Sequence, residues 1–216
     1  MTTAMTAKAS SVHGPISSNP RPSVRELLGY GPIDIDALAK KLEALDEAGR
    51  VAFVRDLKKA DMLRLWDACE GREVTADDFV PRGTRIGTEV IHKGKNSLPA
   101  FSEFEKRFTP ADGNPGTVYG YNHNWFNFTT AGPGYFVGHL RAGDTTFGLD
   151  YYQVPPPSAP LPSSWPKVRK NEIGLQNFIY AKMIDYMRKL CDGVTIGRAW
   201  MKGKRTSNFF LLARTG

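Results

Sequence analysis

The sequence predicts an α+β protein in which short N-terminal helices precede a curved antiparallel sheet or open barrel, packed on one long helix in the C-terminal half. Three patterns predict this fold. Apolar residues recur near a 3.6-residue spacing over residues 33–70, alternation dominates residues 117–154, and the helical spacing returns over residues 171–192. Separate runs of helices and strands are typical of this fold class.

The chain is predicted to have three parts: a disordered tail at 1–22, a helical segment at 23–80, and a sheet-plus-helix domain at 81–216. The tail is rich in Ser, Thr, Ala and Pro, and it has too little apolar surface to offset the entropy lost on ordering. The helical segment carries 9 Lys and Arg against 13 Asp and Glu, whereas the last part carries 18 against 9. This asymmetry suits a solvated surface, docking between the two parts, or partners of opposite charge.

Three short helices are predicted in the helical segment, each with one apolar face. Asp34 or Asp36 provides an acceptor for the first turn of the first helix, and Gly49 ends it. Helices of this length are unstable alone in water, so they are expected to pack on each other or on the sheet. The predicted helices are residues 33–48, 50–59 and 61–70.

Alternating and turn-forming residues predict the secondary structure that follows the helical segment. The Pro-rich stretch 155–166 is predicted to be an extended loop or a lid, because proline cannot donate to a sheet. Apolar spacing predicts two further helices, a short one at 97–108 and the long one at 171–192. The predicted strands are residues 84–92, 117–128, 135–141, 145–154, 194–201 and 208–214.

The hairpin formed by residues 135–141 and 145–154 gives the most specific prediction. A two-residue turn, the commonest hairpin connection, places Phe136 and Leu140 with Phe147, Leu149 and Tyr151 on one apolar face. A three-residue turn shifts the pairing by one residue and moves His139 among the aromatic residues. The two-residue register is favoured because it separates polar from apolar residues.

In that register the opposite face carries a candidate catalytic group. A carboxylate can orient a histidine as a general base near neutral pH, and tyrosine hydroxyls can donate to a developing oxyanion. A structural, hydrogen-bonded histidine is the simpler interpretation of the same pattern. The candidate catalytic residues are His139, Asp150, Tyr135 and Tyr152.

Aromatic density indicates a candidate ligand site. Thirteen of the 24 Phe, Tyr and Trp residues lie between Phe101 and Tyr152, and that much apolar area must be covered by core packing, a ligand or another subunit. Gly138 and Gly148 are expected to leave room above the sheet. We therefore expect an aromatic-lined cavity between the sheet and the helix at 171–192, with Tyr121, His123, Trp125, Gly138 and Gly148 as its ligand-binding residues.

Several site classes are not supported by any motif. The two cysteines have no zinc-ligand spacing, the histidines lack close HxH or HxxxH spacing, and the glycines around Gly134 do not match a dinucleotide fingerprint. No GxSxG element marks a serine nucleophile. We expect no metal and no cofactor. With no apolar run long enough to span a membrane and no signal-peptide core, we expect a cytoplasmic protein without a transmembrane segment.

Three functions follow as hypotheses. The leading hypothesis is a domain that binds a small apolar or aromatic molecule. The second is an acid–base enzyme on the same scaffold, which uses the candidate catalytic residues around His139. The third is an interaction protein that binds anionic partners, because basic clusters such as residues 202–205 accompany the aromatic residues. Binding to nucleic acid or to an anionic surface is possible on this pattern but is not favoured, since no ribonucleoprotein-type aromatic motif is present.

Overall fold

The computed structural model describes residues 21–100, 102–123, 133–140, 146–171 and 182–216. Within them, five short helices precede eight strands. The helices are α1 Val24–Leu28, α2 Ile35–Glu43, α3 Glu47–Asp56, α4 Lys59–Ala68 and α5 Ala76–Phe79. The strands are β1 Val90–Asn96, β2 Glu103–Pro110, β3 Val118–His123, β4 Gly134–Leu140, β5 Phe147–Asp150, β6 Met183–Cys191, β7 Val194–Met201 and β8 Lys204–Thr215.

The strands form a closed antiparallel barrel. Each strand pairs with the next along the chain, and β1 pairs with β8 from Ile91↔Thr215 to Asn96↔Phe210, which closes the ring. An eight-stranded barrel has an interior just wide enough for side chains to fill. The predicted α+β fold with an open sheet or open barrel is therefore wrong: the described chain is a closed barrel with short helices on its outside.

The long C-terminal helix is the largest error in the predicted fold. Residues 183–191 form β6, while residues 172–181 of the predicted helix lie outside the described part of the chain. The strand is buried on both faces, with Met187 inside the barrel and Leu190 under the helices. A strand covered on both sides lacks polar alternation and resembles a helical apolar run.

The short helix predicted at residues 97–108 is also replaced by a strand. In β2, Phe104, Lys106 and Phe108 alternate into the barrel, and Lys106 is 2% exposed. A lysine at an inward position breaks the apolar alternation that identifies a strand, so the remaining phenylalanines fit a helical spacing equally well. The strand predicted at residues 84–92 begins later, at Val90.

Helices α2, α3 and α4 agree with the sequence apart from their boundaries, whereas α1 and α5 were not predicted. Asp34 caps α2, as predicted, by accepting a hydrogen bond from the Ala37 N–H. Gly49 does not end this helix: it lies inside α3, where its N–H donates to the Asp46 side chain at 2.7 Å. Helices α1–α4 pack on the outer face of β6–β8 through buried apolar residues that include Leu42, Phe53 and Leu211.

Aromatic rings fill the barrel interior. Phe79 of α5 stacks on Phe108 and Phe147 from one end of the barrel, with ring centroids 5.0 and 5.2 Å away. A Cβ added to Gly120 would lie 2.4 Å from Cζ of Phe136, so this position requires glycine. A strand glycine covered by a neighbouring ring is a packing device of β-sheets. Inward glycines of this barrel therefore seat aromatic rings and do not open a cavity.

Both cysteines are buried thiols, which leads to a first prediction. Burial raises the pKa of Cys69 to about 11 and that of Cys191 to about 12. Because the thiolate is the reactive form, we expect neither thiol to react with Ellman's reagent at pH 7.5 in the folded protein. Both should react within minutes in 6 M guanidinium. Stoichiometric labelling of folded protein at the unfolded rate would contradict the buried placement.

Candidate functional site

Strands β4 and β5 pair in the predicted register. His139 lies opposite Gly148, Val137 opposite Asp150 and Leu140 opposite Phe147. The apolar set with Phe136, Leu149 and Tyr151 faces the barrel interior, so the set with His139 and Asp150 lies on the outer wall. The residues predicted to form the turn, 142–144, are outside the described chain.

A glutamine joins the predicted histidine and aspartate. The Gln153 side-chain amide donates to Asp150 Oδ2 at 2.9 Å, and its nitrogen lies 3.3 Å from His139 Nε2. His139 Nδ1 is 3.0 Å from the Leu140 carbonyl, which can only accept, so Nδ1 carries the proton and Nε2 accepts from Gln153. The two residues are therefore linked through Gln153, which the sequence analysis did not single out.

A pocket of about 510 Å³ opens on the outer wall beside this group. Asp150, Ile184 and Trp200 are directly opposite one another on β5, β6 and β7. In the next row, Gly148 faces Tyr186. The residues lining this outer-wall pocket are Asp150, Tyr152, Gln153, Lys182, Ile184, Tyr186, Trp200 and Gly203.

The pocket combines an aromatic wall with polar groups. Trp200 and Tyr186 are half-buried and pack edge to face, with ring centroids 5.2 Å apart. Asp150 is only 4% exposed. Its two oxygens accept from the Tyr152 N–H at 2.8 Å and from the Gln153 amide, which fixes the carboxylate in place. Asp150 and Tyr152, two of the four candidate catalytic residues, are therefore in one pocket.

Tyr135, the remaining catalytic candidate, is covered on the outer wall by residues 152–171, here called the strap. Tyr135 and Tyr121 are almost fully buried beneath Trp165 of the strap. The Tyr135 hydroxyl donates to the Pro166 carbonyl, and burial raises the pKa of Tyr135 above its ordinary value. The strap includes the Pro-rich stretch, which forms no helix or strand, turns at residues 157–158 and 163–164, and packs against the barrel wall through Leu161 and Trp165.

Two polar anchors hold the strap. The Trp165 indole nitrogen donates to Glu89 at 2.6 Å, and Glu89 also accepts from the Arg107 guanidinium at 3.0 Å. At the last residue of the strap, the buried Asn171 amide donates to the carbonyls of Tyr135 and Tyr151. The bond to Tyr151 ties the end of the strap to the residue next to Tyr152 of the outer-wall pocket.

The residues predicted to bind a ligand are not all together. The Tyr121 hydroxyl lies under the strap, 3.0 Å from Nδ1 of His123, and burial raises the pKa of Tyr121 to about 12. A Cβ on Gly138 would meet Val118 at 2.7 Å inside the barrel. Gly148 lies between His139 and Tyr186 on the outer wall. Trp125 is outside the described residues.

A buried polar cluster inside the barrel was missed by the sequence analysis. The Lys106 ammonium donates to Asp185 at 3.1 Å, to Asn122 at 2.8 Å and to the Tyr151 hydroxyl. Tyr151 in turn donates to Asp185 at 3.2 Å. Burial lowers the pKa of Lys106, opposed by the charge and hydrogen bond of Asp185. These residues belong to β2, β3 and β6 and to the position after β5, so they meet only because the strands close into a barrel.

Comparisons with known proteins add no assignment. The chain matches no protein-family profile, no curated protein and no solved structure. Within the described ranges, no three His, Cys, Asp or Glu residues are grouped so as to hold a metal ion. Among the helices of the same ranges, none is long and apolar enough to cross a membrane.

Proposed function

We propose that this protein binds a small planar organic molecule in the outer-wall pocket. One observation carries the proposal: an aromatic pair, Trp200 with Tyr186, and a fixed carboxylate with its amide partner, Asp150 with Gln153, line the same concave volume. Small-molecule sites combine apolar walls with a few convergent polar groups in just this way, at volumes of roughly 300–1,000 Å³.

The residues that line the pocket are expected to make different contacts with the ligand. A flat ring of the ligand stacks against the indole of Trp200, an interaction worth about 1–3 kcal/mol for a base on an aromatic side chain. Asp150 and Gln153 offer acceptor and donor groups to polar edges of that ring. The strap and the closed barrel hold both sides of the pocket before the ligand arrives, which lowers the entropy lost on binding.

The pocket is a different place from the cavity expected from sequence. That cavity needed a helix over residues 171–192 as its second wall, and residues 183–191 are instead part of the barrel. The outer-wall pocket keeps the aromatic character of the original hypothesis, but none of the described residues predicted to bind a ligand lines it; Asp150 and Tyr152 come from the predicted catalytic group. Its main aromatic wall comes from β6 and β7.

Binding is favoured over acid–base catalysis by the position of Gln153. A general base needs its proton-accepting atom free and within hydrogen-bonding reach of the substrate. Nε2 of His139 lies 3.3 Å from the Gln153 amide nitrogen, and that amide also donates to Asp150. An acid–base reaction at His139 therefore requires this amide to move away first.

Ligand-observed NMR with indole, quinoline and adenosine as planar probes tests the proposal. We expect saturation transfer from the protein to at least one probe, and at least a tenfold weaker affinity for Trp200→Ala, because stacking is lost. Trp200→Phe, which keeps a ring, should lie between the two. Tyr30→Ala, which removes an aromatic side chain that is 80% exposed and outside the pocket, is the matched control.

Two results would count against the proposal. The first is the absence of transfer to any of the three planar probes. The second is binding that Trp200→Ala and Tyr30→Ala weaken equally. Thermal unfolding of each variant, measured alongside, separates loss of binding from loss of fold.

A further inference from the structure

We propose that the ligand of the outer-wall pocket carries an anionic group, a phosphate or a carboxylate, and that Lys182 is the residue that recognises it. This inference rests on the proposed function and names the chemical class of its ligand. Three features support it: the basic residues at one edge of the pocket, their backbone conformation, and the hydrogen bonds of the single carboxylate in the lining.

Four basic residues lie in the pocket lining or next to it in sequence. Lys182 and Gly203 are lining residues, and the basic residues Lys202, Lys204 and Arg205 flank Gly203 at the β7–β8 turn. All four basic residues are exposed. None of them forms an ion pair with another described residue.

Other basic residues of the barrel strands have partners within the protein, which are carboxylates or, for Lys95, Arg188 and Arg198, backbone carbonyls. Arg107 binds both Glu89 and Glu105, Lys106 binds Asp185, and Arg214 binds Asp192. The four basic residues at or beside the pocket edge are therefore available to raise the local concentration of anions there.

The backbone at this edge is held in a conformation that favours glycine. Lys182 and Lys202, with φ of 62° and 52°, are the two non-glycine residues with positive φ in the described part of the chain. The Lys202 N–H donates to the Lys182 carbonyl at 2.7 Å, which joins the two turns. A left-handed conformation costs a residue with a Cβ about 1–2 kcal/mol. Glycine would avoid this cost, so lysine at both positions points to a use for the ammonium groups.

The acidic residue in the lining does not oppose an anionic ligand. Both oxygens of Asp150 accept hydrogen bonds from Tyr152 and Gln153, and the residue is 4% exposed. The anionic group is therefore expected at the Lys182 edge, while the ring lies against Trp200. The concave volume of about 510 Å³ fits one ring-bearing molecule better than an extended polyanion.

Two matched probe pairs test the inference: adenosine 5′-monophosphate against adenosine, and indole-3-acetate against 3-methylindole. Titrations at low salt should show the anionic member of at least one pair binding about three- to tenfold more tightly, as expected for a charge-assisted contact at an exposed edge. The pair that shows the preference identifies phosphate or carboxylate. The preference should shrink in 0.3 M NaCl, because salt screens exposed charges.

Two variants assign the effect to a residue. Lys182→Met should bring the affinities of each pair together, because it weakens the anionic member more than the neutral one. Lys40→Met removes the same charge from an exposed position on α2, outside the pocket lining, and should preserve the preference. A preference retained in Lys182→Met would overturn the assignment to this lysine.

The outcomes separate this inference from the proposed function. Equal binding of neutral and anionic probes, abolished by Trp200→Ala, overturns the anionic class alone. No binding of any of the four probes overturns both. A ten-residue oligothymidylate that binds more tightly than adenosine 5′-monophosphate, and that Lys182→Met weakens, would show that the charged edge serves nucleic acid instead of a small molecule.

Discussion

Replacing Lys106 with methionine should destabilise the protein by about 3–5 kcal/mol, the range for removing one partner of a buried ion pair. Lys106 and Asp185 are each about 3% exposed at the side chain, and their charged atoms are 3.1 Å apart. Without the ammonium, Asp185 keeps a carboxylate in an apolar interior with the Tyr151 hydroxyl as a remaining donor.

The size of this effect comes from charge and not from packing. The Lys106 nitrogen lies 4.9–5.6 Å from the centroids of four aromatic rings, those of Phe104, Phe136, Tyr151 and Phe210. Methionine has a similar length and packs well against aromatic rings. The free energy lost should therefore be that of an uncompensated carboxylate, not that of a cavity.

A double-mutant cycle measures this directly. Asp185→Asn keeps an acceptor for Tyr151 and removes the charge, so Lys106→Met/Asp185→Asn leaves no ion unpaired. We expect urea unfolding to show the double variant recovering about 2–3 kcal/mol relative to the sum of the single variants. Additive losses would mean that the two charges do not depend on each other for burial.

The same lysine shows why part of the fold was not readable from sequence. The register of β4 and β5 is predictable, because a short turn and the alternation of Phe136, Leu149 and Tyr151 agree on one pairing. In β2 the inward position between Phe104 and Phe108 is occupied by Lys106, so the pattern is ambiguous. Its partner Asp185 lies 79 residues away in sequence, so the residues around Lys106 do not predict which side chain will pair with it.

Some residues of the candidate site could likewise be predicted from local sequence patterns, and others could not. Asp150 and Tyr152 follow from the alternation of one hairpin, and both line the outer-wall pocket. Tyr186 and Lys182 belong to a segment whose burial on two faces imitates a helix, and Trp200 joins them only through the pairing of β6 with β7. Read with a two-residue period, Ile184 and Tyr186 share a face with Arg188, and that was the one available signal for the outer wall of β6.

Lowering the pH from 6.5 towards 4 should destabilise the protein by about 3 kcal/mol through His92 alone. His92 is 1% exposed, and burial lowers its pKa from 6.5 to about 4, assisted by the nearby Arg214 charge and opposed by the hydrogen bond to Phe79. Nε2 donates to the Phe79 carbonyl at 2.9 Å, and the ring packs against Phe108.

The direction follows from proton binding in the two states. Between pH 6.5 and about 4 the unfolded chain has a protonated His92, whereas the folded protein keeps it neutral. The unfolded state therefore binds more protons, and stability falls as the pH is lowered, by about 1.4 kcal/mol per unit where the difference is complete. Above pH 6.5 both states are neutral and this contribution is constant.

Chemical unfolding of the native protein and of His92→Gln, measured from pH 7.5 to 4.5, isolates the effect. Glutamine places an amide donor near the position of Nε2 but does not titrate in this range. We expect the variant to lose some stability at pH 7.5. Between pH 7.5 and 4.5 its free energy of unfolding should fall by about 2–3 kcal/mol less than that of the native protein, because the other titrating groups are common to both. If the free energies of unfolding of the two proteins fall in parallel with pH, His92 binds its proton equally well in the folded and the unfolded state. In that case the contact between α5 and the barrel interior, which His92 and Phe79 form together, must open more readily than the buried geometry implies.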